Sequence, residues 1–280
     1  MERGLFYALG AASPARFAEL ERETRLAETL GLAAIWCLPE TDAEGGASGA
    51  AVGGAPAVWL AALAQATRRI RLGWGVAGLW PPQAAPVREA EQAATLDVAS
   101  AGRLELALLP ESAEREGADE GARMLVGMWT ATPFAWDSAG FAVPEIDVLP
   151  KPLQQPHPPL WLAGWKAEQA LAAGRAGLGF LDLSGGGEAV WLAHRACYFE
   201  ARAEASVDAL ANAGLFAVAV DLQDGSELAE EARAGRAGPG GRAWLDALEA
   251  AGFDAVVLRA GPLEGGHGEA CRRIEWLAGA

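Results

Sequence analysis

TRRIRLGWGVAGLWPPQAAPVREAEQAATLDVASAGRLELAL, residues 67–108, is the stretch that decides the fold. Two arginines, Arg68 and Arg69, lead into an apolar β run from Ile70 to Val76. A loop rich in proline follows (Pro81, Pro82, Pro86), and the spacing of apolar residues then predicts an amphipathic helix over Val87–Ala99. Ser100-Ala101-Gly102 ends that helix, and Arg103 opens a second β run through Leu108. Strand, loop, helix, turn and strand within about forty residues form a βαβ unit, in which the helix carries the chain across to a parallel strand.

The same alternation extends in both directions. Further β runs are read at Gly4–Leu9, Ala33–Leu38, Leu160–Ala163, Gly179–Leu183, Leu215–Val220 and Ala255–Leu258. Helical patterns are read at Pro14–Leu30, Pro56–Ala66, Gly117–Trp129, Lys166–Arg175, Glu188–Ala211, Gly241–Ala251 and Gly268–Ala278. Ser13-Pro14 is an N-cap followed by proline at the first helical position. Gly31, Gly214 and Gly252 stand just past helices, where a left-handed cap suits glycine. Eight βα units without a long linker predict a (β/α)₈ barrel as a single domain over residues 1–280. A doubly wound open sheet produces the same alternation and stays open at this point. Two segments break the rhythm. Asp42–Ala55 is small and glycine-rich, and reads equally as a mobile lid or as a loop that has lost its ligands. Residues 130–159 are dense in proline and read as a rigid extended strap.

A chain of 280 residues, 51% hydrophobic, can bury a large core. Its net charge of −15 argues against nucleic acid or an anionic membrane as partner, while leaving room for a local donor cluster that holds one phosphate. Cys37, Cys197 and Cys271 show neither a disulfide framework nor metal spacing, which fits a reducing cytoplasm and no bound metal. The N-terminus reads as the start of a strand rather than a signal peptide, and no apolar run reaches the ~20 residues of a membrane span.

The wording of the central stretch resembles the bacterial luciferase-like flavin monooxygenases. The match is carried by Thr67, Arg69, Ile70, Leu72 and Gly73; by Pro86, Val87, Ala90 and Glu91; and by Leu96, Asp97, Ser100, Gly102 and Arg103. Pro150, Pro152, Gln155, Pro156, Pro158 and Pro159 match that family's crossover before the fifth strand. The resemblance favours the barrel, with reduced insertions. It also implies FMN or the deazaflavin F420 as cofactor, a small organic substrate, a separate flavin reductase as partner, and a homodimer through the helices after the second and third strands.

Three places depart from the family pattern. After the second strand the histidine-bearing triplet is absent, and Glu40 is left as candidate proton donor or acceptor. After the fourth strand, Pro110-Glu111 stand where relatives carry arginine and glycine, which disfavours a phosphate there. After the fifth, Gly164-Trp165-Lys166 leads into a helix start with Gln169; Lys166 and Gln169 take the places from which relatives hold the cofactor phosphate. Trp74 stands where a small polar residue is usual, and is read as facing the ring or plugging the barrel. Asp182 and Ser184 end the sixth strand without a histidine partner, His194 is read as a surface or groove residue, and Asp97 and Arg103 as structural. Two functions follow: a flavin-dependent oxidoreductase with Glu40, Trp74, Gly164, Trp165, Lys166 and Gln169 at its site, or a non-catalytic barrel serving as a partner subunit or small-ligand binder with no cofactor.

Overall fold

The computed structural model describes residues 1–9, 14–39, 55–77, 79, 85–110, 118–205, 210, 215–222, 227–235, 238–261 and 266–279. Its strands are β1 (Glu2–Leu9), β2 (Ala34–Pro39), β3 (Arg71–Ala77), β4 (Leu104–Leu109), β5 (Phe134–Asp137), β6 (Ala142–Ile146), β7 (Leu160–Gly164), β8 (Gly179–Asp182), β9 (Phe216–Val220) and β10 (Ala255–Gly261). Its helices are α1 (Pro14–Thr29), α2 (Pro56–Ala66), α3 (Pro86–Ala99), α4 (Ala118–Thr130), α5 (Ala167–Ala176), α6 (Glu188–Glu204), α7 (Glu227–Ala234), α8 (Pro239–Ala250) and α9 (Gly266–Gly279).

Eight strands close a barrel in the order β1-β10-β9-β8-β7-β4-β3-β2. Every pair around the ring is parallel, including the closing contact of β1 with β10. Closure decides between the two architectures that alternation alone permits. The βαβ unit read from residues 67–108 is β3-α3-β4, with Leu72 registered against Leu104. Differences from the sequence reading are local. The helix predicted to run to Ala211 ends at Glu204. The short helix α7 has no counterpart in the reading. The strap contains a hairpin, β5-β6, before its proline-rich half. Gly31 and Gly252 have φ of 82° and 81°, the left-handed caps expected of them; Gly214 lies outside the described residues.

Strand register sorts the side chains into two sets. Ala34, Trp36, Leu38, Ala107, Leu109, Trp161, Ala163, Leu181, Ala217, Ala219 and Val257 form one cluster, which fills the barrel. Leu5, Ile35, Cys37, Leu72, Leu106, Leu162, Phe180 and Val218 belong to the other, packed beneath the helices. Trp36 and Trp161 meet inside the barrel edge to face, with ring centroids 5.8 Å apart. Glycines on neighbouring strands make this possible. A Cβ on Gly73 would overlap the Trp36 indole, and one on Gly179 would lie 2.6 Å from Trp161.

The residues that carry the family wording form a lock at the N-terminal end of the strands. The buried Arg103 guanidinium donates to Thr67 Oγ1 at 3.0 Å, Ile70 O at 2.9 Å, Ala64 O at 2.8 Å and Ser100 O at 2.7 Å. Asp97 accepts from the backbone N–H of Gln154 at 2.9 Å and from its side-chain amide at 2.7 Å, which ties α3 to the strap. Both residues are structural, as their place in the motif suggests. Glu105 enters the barrel above this lock, beside Gly73 in register, and pairs with Arg71. Burial pushes its carboxyl up from the usual 4.5, and the Arg71 guanidinium offsets only part of that.

Candidate functional site

The C-terminal ends of the strands form the face where barrel enzymes build their sites. Five of the six predicted site residues fall among the described residues; Glu40 lies outside them, as do Glu111 and the glycine-rich loop over 41–54. The remaining five divide into two places.

Gly164, Trp165, Lys166 and Gln169 come together where β7 passes into α5. Lys166 is extended, with φ −130° and ψ 155°, and serves as the N-cap. Gln169 turns back over it. Its Oε1 accepts from the backbone N–H of Trp165 at 2.7 Å and of Lys166 at 3.1 Å. Gly164 is glycine because that amide needs the room: a Cβ there would lie 2.7 Å from Gln169 Oε1. Gln169 is buried, and its Nε2 has no protein partner. Lys166 is exposed, while Trp165 is half-buried against the cluster that fills the barrel. The turn thus combines an exposed ammonium, a buried amide nitrogen without a partner and the positive end of a helix.

Trp74 lies elsewhere. Its register partners are Cys37 on β2 and Leu106 on β4, and all three belong to the cluster beneath the helices. The indole therefore packs outward, which corrects the reading that it faces a ring or plugs the barrel. The inner positions of β3 are held by Gly73 and Gly75, paired with Glu105 and Ala107. The space they leave is taken at Gly73 by Trp36.

His194 is corrected as well. It is buried, 7% exposed, and its Nδ1 lies 2.7 Å from Oδ2 of the fully buried Asp182. The other carboxylate oxygen of Asp182 accepts from Ser184 N–H at 2.9 Å. Asp182 registers with Val218 of the outer cluster, so this Asp–His pair sits between the barrel and α6, outside the interior. The pair holds the imidazole in one orientation and locks the end of β8 to α6. The partners lie twelve positions apart, and no local motif announces them.

Arg259 was missed by sequence reasoning. The run was read as ending at Leu258, whereas β10 continues to Gly261. Continuing the alternation from Ala255 and Val257 places Arg259 on the inner face. Its Nη1 donates to Asp221 Oδ2, just past β9, at 3.1 Å. Among the described residues no group of His, Cys, Asp and Glu side chains is placed to hold a metal ion. Nor is any described helix long and apolar enough to cross a membrane.

The sequence matches the family described as "Luciferase-like monooxygenase" over residues 2–264. The chain belongs to that family. A curated relative, the oxygenase component of a flavin-dependent trigonelline monooxygenase from Acinetobacter baylyi, is 30% identical over 159 residues. That alignment takes in 50% of this chain and 41% of the relative, so the chain matches less than half the relative's length. Among solved structures, the monooxygenase RslO1 from Streptomyces bottropensis superposes with a TM-score of 0.73 at 21% identity, covering 99% of this chain and 98% of that one. The oxygenating constituent of 3,6-diketocamphane monooxygenase from Pseudomonas putida, solved in complex with FMN, gives 0.70 at 17% identity, covering 99% and 97%. An F420-dependent secondary alcohol dehydrogenase with an F420–acetone adduct gives 0.70 at 14% identity, covering 98% of each chain. These likenesses show a luciferase-like barrel.

Proposed function

We propose that the chain is a luciferase-like oxidoreductase that holds FMN or F420 at the C-terminal mouth of the barrel and acts on a small organic substrate. Family membership supports the class of chemistry. The start of α5 is the observation that carries the reading for this chain. A buried amide nitrogen without a partner costs about 1–3 kcal/mol, and an acceptor on a ligand at this turn would satisfy it. Gln169 Nε2 and the Lys166 ammonium, at the positive end of α5, make a donor set that fits a cofactor phosphate.

When bound, the cofactor supplies the redox step: FMN with O₂, or F420 by hydride transfer. The protein's own part is positioning. Lys166 neutralises phosphate charge as a point cation, and Gln169 braces the turn that presents it. Trp165 covers the side of the mouth and excludes water. The inner cluster below gives a rigid apolar floor. Glu40 is the residue assigned to proton handling. A reductase acting in trans would deliver the reduced cofactor. A second copy of the chain would pack across α2 and α3, where Val58 and Val98 are exposed.

One observation favours the alternative, a non-catalytic barrel: Gln169 Oε1 already occupies two backbone N–H groups at the turn. Fluorescence titration with FMN and with F420 decides between the two. Saturable binding of either at micromolar concentration supports the oxidoreductase. Absence of both at tens of micromolar, roughly −6 kcal/mol of binding free energy, supports the alternative.

A further inference from the structure

We infer that Arg259 is the residue that recognises an anionic substrate, gripping the carboxylate of an organic acid at the barrel mouth. The inference rests on the mouth being the reaction site, as proposed above, and adds the substrate's chemical class.

Register sets Arg259 beside Phe6 of β1 and two residues beyond Val257, whose side chain lies inside the barrel. The inner positions around the upper barrel are otherwise small or apolar: Leu38, Ala107, Leu109, Ala163, Leu181 and Ala219. A cation in such a setting needs a reason. Its visible partner is Asp221, but that pair is open to water, with side chains 28% and 50% exposed. An exposed ion pair of this kind contributes little. Meanwhile the Arg259 Nε is buried with no hydrogen-bond partner. The pair with Asp221 therefore leaves part of the guanidinium's donor capacity unused. A planar anion at the mouth would use it, because a guanidinium offers the side-by-side donors that a carboxylate accepts. Asp221 holds the guanidinium from the solvent side and competes with the ligand for it.

The cofactor phosphate has its own donors at α5. In the ring, β8 and β9 stand between β7, which leads into α5, and β10, which carries Arg259. Two cations at separated stations suit two anions: the cofactor's phosphate at one and the substrate's acid at the other. The protein's charge of −15 repels anions in general, so the local guanidinium would set this selectivity.

The test uses the purified protein without cofactor and two matched pairs of probes, benzoate with benzamide and phenylacetate with phenylacetamide, plus inorganic phosphate. Binding is followed by tryptophan fluorescence and calorimetry on wild type, Arg259→Gln, Arg259→Lys and Asp221→Asn. An acid is expected to bind at least about tenfold more tightly than its amide, the size of one charge-assisted hydrogen bond. Arg259→Gln abolishes that preference. Arg259→Lys keeps part of it, and Asp221→Asn enlarges it by removing the competing carboxylate. The inference is overturned if no acid binds saturably by about 10 mM, a free energy near −3 kcal/mol. It is equally overturned if the preference survives Arg259→Gln, or if phosphate displaces the acids through the same arginine. Unfolding midpoints of the variants report that they fold. Parallel FMN and F420 titrations separate the two readings: acids behaving as expected without cofactor binding would sink the oxidoreductase reading alone.

Discussion

Replacing Gly73 by alanine adds one methyl group where the barrel has no room for it. The new Cβ would fall among the ring atoms of Trp36, overlapping Cδ2 and Cε3 and lying 2.7 Å from Cε2. The indole cannot retreat, because it is buried and meets Trp161 edge to face at 5.8 Å. Trp161 in turn is fixed by Gly179, where a Cβ would lie 2.6 Å from its ring. Overpacking of a well-filled core costs about 1–3 kcal/mol, and this rigid setting points to the upper end, about 3 kcal/mol. For a chain of this size that lowers Tm by roughly 6–9 °C. Urea unfolding and calorimetry measure both quantities. Trp36→Ala alone should cost about 3–5 kcal/mol, since it opens a cavity. In that background Gly73→Ala should cost nothing further, a coupling of about 3 kcal/mol in the double-mutant cycle. A tolerated Gly73→Ala, or additive effects, would refute the placement of Trp36 inside the barrel and with it the outward placement of Trp74.

Other outcomes follow from buried charge. The Glu105 carboxyl is raised above 4.5 by burial, so its protonated form is favoured on folding. Its contribution to stability is fully present below the unfolded value and is lost as pH rises through the folded one. The unfolding free energy of wild type minus that of Glu105→Gln should therefore decline as pH rises above 4.5 and level off once pH has passed the raised folded value; a rising difference in urea titrations would contradict this. Asp182→Ala removes acceptors for Ser184 N–H and His194 Nδ1 at a fully buried site, and should destabilise by about 3 kcal/mol, against much less for Asp182→Asn. A loss below about 0.5 kcal/mol, typical of surface positions, would show the pair to be idle.

The barrel was legible because each βα joint carries its own punctuation, and because residues 67–108 hold a structural motif. Thr67, Asp97, Ser100 and Arg103 are recognisable for the same reason that they bond together. What sequence could not supply was the facing of individual strands. In β3, Arg71–Ala77, glycines at 73 and 75 leave the alternation without a phase, and Trp74 was read as the inward bulk when the bulk comes from β2. In β10 the apolar run hid an arginine that keeps the inner phase. The Asp182–His194 pair joins residues on a strand end and two turns into a helix, a contact only the packing of α6 creates. The residues at the start of α5 meet because they are neighbours in sequence, whereas the bracing of the turn by Gln169 depends on a side-chain conformation that sequence does not show.

Titrating the purified protein with FMN, F420 and riboflavin, before and after Lys166→Ala, asks most directly whether α5 anchors a cofactor phosphate. FMN or F420 should bind saturably, riboflavin more weakly than FMN where FMN is the ligand, and the lysine variant should lose about tenfold for the phosphorylated ligand, near 1.4 kcal/mol, with riboflavin unchanged. Equal affinity in wild type and variant, or no binding of either cofactor at tens of micromolar, would contradict it.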